Sequence, residues 1–194
     1  MDQPQDPRIP RRIVTGHDEQ GRSCVIFDSA APNVKARPGS PDTFYCELWT
    51  VGHMPADLSG NRDDGFAGEP VAHAPPPAGF RFRIVLPPRT RPPAEPDDAR
   101  EQAAFDAMNA SGMSERKHSQ HWHMHKSRTV DYAICLEGER VLALDESETR
   151  IAKGDVVIQL ANFHAWKGVP GKPGRMGYVM IGAENPTGPA EPRT

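Results

Sequence analysis

Thr129-Val130-Asp131-Tyr132-Ala133-Ile134-Cys135-Leu136, closed by Glu137-Gly138 and followed by Arg140-Val141-Leu142-Ala143-Leu144, is the stretch that decides the architecture. Its apolar residues recur with period two, which suits a pleated strand and not a helix. Similar segments surround it: His118–His125 before, then Thr149–Ile151, Val156–Leu160, His164–Lys167 and Met176–Ile181. Between them lie Asp145-Glu146-Ser147, Lys153-Gly154-Asp155 and Pro170-Gly171, all turn-forming. Short strands joined by tight turns predict an all-β antiparallel sandwich or barrel.

Upstream, Arg11-Arg12-Ile13-Val14-Thr15, Cys24-Val25-Ile26-Phe27 and Phe44-Tyr45-Cys46-Glu47-Leu48-Trp49 are β-prone. Gly52 to Gly79 is poor in large apolar residues and contains Pro75-Pro76-Pro77, so it reads as a long loop. Phe80-Arg81-Phe82-Arg83-Ile84-Val85-Leu86 alternates and predicts a strand with Phe80, Phe82, Ile84 and Leu86 on one face. After a proline-rich connector, Asp97 or Asp98 can cap a short helix carrying Ala104, Phe105 and Met108, ended near Gly112. This helix is expected to fill one barrel edge, with folding over the barrel mouth as the alternative. The resulting division is a disordered N-terminus (1–10), a β arm with long loop and helix packing on the barrel (11–112), the barrel core (113–184) and a disordered tail (185–194).

Composition narrows the class. The 194 residues are 37% hydrophobic with a net charge of -3, enough for one domain with a real core. The near-neutral balance predicts no nucleic-acid partner. The Arg11-Arg12 pair and the arginines from Arg81 to Arg91 are expected on solvated faces. No apolar run reaches the length of a membrane span and the N-terminus lacks a signal-peptide core, so no membrane partner and a cytoplasmic location are expected. Cys24, Cys46 and Cys135 are odd in number and widely spaced, as reduced core thiols are.

The chemistry concentrates at His121-Trp122-His123-Met124-His125. In a strand, positions i, i+2 and i+4 share a face, so the three histidines point one way and neighbouring pairs can approach one metal ion. Asp131 follows in the next strand, and His164 ends the run that begins at Gly154. His17, His53, His73 and His118 lack such company and are expected on the surface or in loops.

At these residues the chain resembles the cupin family, a jelly-roll barrel. His123-x-His125, Asp131 and Gly138 follow the register of the first cupin motif, with Asp in place of Glu; Gly154 and His164 follow the second. The likeness is nearest to small bacterial and fungal cupins carrying His-Arg-Thr-x-Thr-x-Asp-Tyr, here His125-Lys126-Ser127-Arg128-Thr129-Val130-Asp131-Tyr132. The same subgroup begins with a segment seen here as Val14-Thr15-Gly16-His17-Asp18, then Gly21-Arg22. Two departures stand out: Leu160-Ala161-Asn162 replaces Pro-x-Gly, and Gly168 replaces asparagine.

The resemblance implies a single cupin barrel with an N-terminal β arm and one short helix. It also implies a divalent transition metal held by His123, His125 and His164, with Asp131 either a fourth ligand or a group holding a ligand in place. Three imidazoles and a carboxylate suit Fe(II) best, with Mn, Ni or Zn possible. His121 and Trp166 are the candidate catalytic or substrate-facing residues, and Trp166, Phe163 and Ile158 suggest an aromatic or polyketide-like substrate. The expected function is a metal-dependent enzyme acting on a small molecule, with oxygenase chemistry preferred. Isomerase, lyase or hydrolase chemistry at the same site is one alternative; a non-catalytic ligand-binding or sensor cupin is another. A homodimer formed through the outer sheet and the N-terminal arm is expected.

Overall fold

The computed structural model describes residues 6–60, 62–63, 70–89, 98–111, 113 and 124–184. Among the described residues, eleven strands and one helix follow in order. β1 is Arg11–His17, β2 Ser23–Ala30, β3 Asn33–Arg37, β4 Ser40–Val51 and β5 Phe80–Leu86. Helix α1 spans Asp98–Ala107. Then come β6 Thr129–Glu137, β7 Glu139–Ala143, β8 Glu148–Ala152, β9 Val156–Leu160, β10 Ala165–Gly168 and β11 Arg175–Gly182. The fold is an all-β jelly roll: a six-stranded sheet ordered β3-β4-β5-β11-β6-β9 and a three-stranded sheet ordered β10-β7-β8. β1 and β2 form a separate antiparallel pair. No helix among the described residues is long and apolar enough to cross a membrane.

The strands predicted downstream of Thr129 are present within a residue or two of the expected bounds. β3 was not anticipated, and the division of the chain at residue 112 does not describe the molecule. β4 and β5 are interior members of the large sheet, β5 pairing with β11, so the barrel core draws on both halves of the chain. The physical reason is burial on both faces of β5. Ile84 and Leu86 join Cys46, Leu48 and Ala31 in one apolar cluster. Val85, on the opposite face, packs against Tyr45, Phe105 and Met108. Asp6–Pro10, expected in the disordered N-terminus, is also tied down: Arg8 donates to the Pro87 carbonyl at 2.6 Å and Ile9 packs on the first cluster.

The arginine expectation is corrected as well. Arg11 is exposed and pairs with Asp28, but Arg12, Arg81 and Arg83 are buried. Arg12 donates to the Leu48 carbonyl and to Asp63, and lies over Phe27 and Trp49. Arg81 and Arg83 alternate with the phenylalanines of β5, so covering both faces of the strand had to bury them too.

The cysteines are all reduced; Cys46 and Cys135 are core thiols while Cys24 is half-buried. Burial pushes the Cys46 thiol up to about 12, which leaves it unreactive. Gly138, at the end of β6, adopts φ +66°, and a Cβ there would lie 2.2 Å from the Pro173 carbonyl oxygen. Only glycine fits that turn.

Candidate functional site

His125 and His164 come together through an isolated antiparallel bridge, with the His125 N–H donating to the His164 carbonyl at 3.0 Å and the reverse bond at 2.9 Å. Their ring centroids are 4.4 Å apart. His164 is buried, and its Nδ1 lies 3.0 Å from the Asn162 carbonyl oxygen. A carbonyl only accepts, so Nδ1 carries the proton and Nε2 is left with its lone pair. Burial lowers the His164 pKa to about 4 and keeps the ring neutral at pH 7. The turn before it departs from Pro-x-Gly, and Ala161 takes up the left-handed conformation at φ 52°, its N–H bonded to the Thr129 carbonyl.

A third imidazole completes the cluster, and sequence reasoning placed it elsewhere. His73 belongs to the long loop, yet its ring stands edge-on to His125 at 4.6 Å between centroids and contacts Phe105 at 5.6 Å. Phe105 itself lies 5.4 Å from His125, so α1 covers the histidines instead of merely filling a barrel edge. Burial, with the Arg83 charge close by, lowers the His73 pKa to about 3, and among the described residues Nδ1 has no hydrogen-bond partner.

The loop is held there by the buried arginines. Arg83 binds Glu47 through Nε at 2.8 Å and through Nη2, and the same Nη2 donates to the Ala72 carbonyl at 2.6 Å. Arg81 donates to the Ala72 and Ala74 carbonyls at 2.8 and 3.1 Å. The His73 N–H donates to the Met108 carbonyl at 3.0 Å. A lone histidine in a proline-rich loop carries no periodic signal. The two arginines inside an apolar strand were the available hint, since buried guanidinium groups need acceptors.

Asp131 faces inward from β6 beside Gln159 of β9, which is its direct cross-strand partner. Ser127, Thr129 and Asp131 share that face. The Ser127 and Thr129 hydroxyls are 2.5 Å apart, and Thr129 in turn hydrogen-bonds Asp131. Burial outweighs that bond and raises the Asp131 pKa to about 6. Trp166 packs edge-to-face on Tyr178 of β11 at 5.9 Å. Of the three apolar residues expected to wall the site, Ile158 instead points outward and is half exposed, because it alternates with inward Gln159. Phe163 packs with Met124, Ala143 and Ala165 and lies under the Lys126 ammonium.

His121 and His123 lie outside the described residues. Among the described residues, no set of three or more His, Cys, Asp or Glu side chains is arranged to hold a metal ion.

No family model matches the chain. A cupin-domain-containing oxidoreductase of Aspergillus ruber, fogC, is 26% identical over 174 residues, which cover 88% of this chain and 71% of that protein. Phomopsin biosynthesis cluster protein C′ of Diaporthe leptostromiformis is 29% identical over 185 residues, 91% of this chain and 80% of its own. The cupin domain of Schizosaccharomyces pombe Cnp3 superposes with a TM-score of 0.40 at 13% identity, covering 88% of this chain and 86% of that one. With a jelly roll that carries His125, Asp131, Gly138, Gly154 and His164 in motif register, the chain is similar to cupin-domain proteins along most of its length.

Proposed function

We propose that this cupin is a metal-dependent enzyme acting on a small organic molecule within the barrel, with oxidoreductase chemistry of the oxygenase type preferred. The observation that carries this reading is the His125–His164 pair, two imidazoles brought within 4.4 Å, tilted to one another, by reciprocal backbone bonds, with the Nε2 lone pair of His164 left to bind a metal ion. The donor chemistry fits a first-row divalent ion, Fe(II) before Mn, Ni or Zn. His125 and His164 would hold it together with His123, which lies outside the described residues. A bound Fe(II) would supply dioxygen activation or Lewis acidity.

The chain's own residues do the rest. The Asn162 carbonyl fixes the His164 tautomer and ring orientation, as outer hydrogen bonds do for metal-binding histidines. Phe105 covers the imidazoles and shields them from water. His73, held by Arg81 and Arg83, presents a neutral ring beside His125 that can accept or donate one hydrogen bond to a bound molecule. Trp166 and Tyr178 offer aromatic walls. The relatives named above are an oxidoreductase and a protein of a biosynthetic cluster, which is in keeping with an enzyme acting on a small organic molecule.

The test is metal content of protein purified without a polyhistidine tag, compared with His125→Ala and His164→Ala. Stoichiometric iron in the native chain, lost in both variants, is the expected result. Less than roughly a tenth of an equivalent of any transition metal after anaerobic reconstitution removes the reading.

A further inference from the structure

The interior face of β6 and β9 carries polar groups that the histidine cluster does not use. Gln159 is only 3% exposed, and among the described residues neither its amide nitrogen nor its amide oxygen has a partner. Asp131, directly across the ladder and 6% exposed, has one carboxyl oxygen, Oδ1, equally unpartnered. The Trp166 indole N–H is a third such group. Each buried unmade hydrogen bond costs about 1–3 kcal/mol, so a cluster of them is not a neutral way to fill a core. The Asp131 carboxyl is also held in place, because the Ser127–Thr129 hydroxyl chain reaches it. A pre-positioned acceptor next to an unpaired amide has the form of a recognition surface.

We propose that Asp131, Gln159 and Trp166 form a ligand-recognition subsite for a neutral, ring-bearing molecule with a hydroxyl and a carbonyl close together, of the ortho-hydroxyaryl ketone type. The complementarity is specific. The Gln159 amide N–H and the Trp166 indole N–H are donors and suit the ligand carbonyl. Asp131 Oδ1 and the Gln159 amide oxygen are acceptors and suit its hydroxyl. Trp166 and Tyr178, in edge-to-face contact, supply a flat apolar wall for the ring. Tyr178 shares the inward face of β11 with Met180, which is the cross-strand partner of Asp131, so wall and carboxyl lie diagonally on one surface. A carboxylate ligand does not suit this surface. Asp131 would repel it, and the nearby guanidinium groups of Arg81 and Arg83 are engaged with Glu47 and loop carbonyls.

The inference deepens the enzyme reading by naming a substrate class for the same barrel interior, but recognition here needs no metal. Its test therefore uses the full-length chain stripped of metal by chelator, so failure of the subsite and failure of metal binding are told apart. Titration calorimetry would compare 2′-hydroxyacetophenone with acetophenone, which lacks the hydroxyl, and with salicylate, which adds a charge. We expect the hydroxyketone to bind about tenfold more tightly than either, the worth of one or two hydrogen bonds in a buried site. In Gln159→Leu and in Trp166→Phe, that preference over acetophenone should fall below about threefold. Trp166→Phe keeps the apolar wall, so it serves if Gln159→Leu does not fold. No saturable binding of the hydroxyketone, equal binding of all three compounds, or an undiminished preference in the folded variants overturns the proposal.

Discussion

Arg83 grips Glu47 with its Nε and Nη2 on one side and the Ala72 carbonyl on the other, so one buried side chain ties β5, β4 and the long loop together. Tyr45 closes the arrangement, its ring 4.2 Å from the guanidinium carbon. His73 reaches the histidine cluster only because the residue before it is held in this way. Removing one member of a buried ion pair leaves the other charge unpaired. Glu47→Ala should therefore destabilise the chain by about 3–5 kcal/mol in urea unfolding. The His73 amide, bonded to Met108, should lose hydrogen-exchange protection in the same variant. A change below about 1 kcal/mol would show that the clamp contributes little.

Phe105 of α1 packs against two histidine rings while also belonging to the cluster of Tyr45, Met108 and Ala110. Phe105→Ala opens a cavity there and should cost about 3–5 kcal/mol. Phe105→Leu keeps most of the volume and should cost less than about 1.5 kcal/mol. Paired thermal melts of the two variants would separate simple loss of packing from a specific need for the aromatic ring.

The two kinds of buried titratable group act on stability in opposite directions. Asp131 has a folded pKa of about 6, above its ordinary 3.8, so the folded chain holds its proton more tightly than the unfolded one. Its contribution is complete below pH 3.8 and is lost as pH rises through 6. His164, with its pKa lowered to about 4 from 6.5, favours folding above pH 6.5 and withdraws that support as pH falls toward 4. In metal-free protein, Asp131→Asn removes the first effect alone. The variant should match the native chain near pH 3.5 and exceed it by about 3 kcal/mol at pH 8. Denaturant midpoints at the two pH values provide the check; a variant weaker than the native chain at pH 8 would mean the carboxylate has a stabilising partner.

On the outer face of the large sheet, Tyr132, Val156, Ile158 and Leu160 are exposed, Leu160 by 70%. They sit together: Tyr132 pairs across the ladder with Ile158, and Val130 with Leu160. β9 is an edge strand of this sheet among the described residues. An apolar edge of this kind is self-complementary about a two-fold axis, and a second copy of the chain is the expected occupant. Sizing chromatography should give a dimer for the native chain and a monomer for Ile158→Asp. A native monomer at tens of micromolar protein would remove the expectation.

Much of the strand map was legible because β6 and β9 alternate inward and outward residues, and a period of two survives inspection of one chain. β3 was not, since Asn33-Val34-Lys35-Ala36-Arg37 has a single large apolar residue and becomes a strand by pairing with β4. Outward Ile158 was not expected, because its apolar character suggested a wall while its parity with Gln159 decided its face.

The sequence by itself determined an all-β antiparallel sandwich or barrel, since strand period and turn chemistry are local properties, while the jelly roll and a shared site for His125 and His164 were implied by the resemblance to cupins. Only the tertiary structure decided that His73 joins them, that Arg81 and Arg83 are buried, and that Gln159 faces Asp131 with unmade hydrogen bonds. Those facts depend on which distant segments share a layer, and a lone histidine or glutamine carries no pattern from which that neighbour can be read.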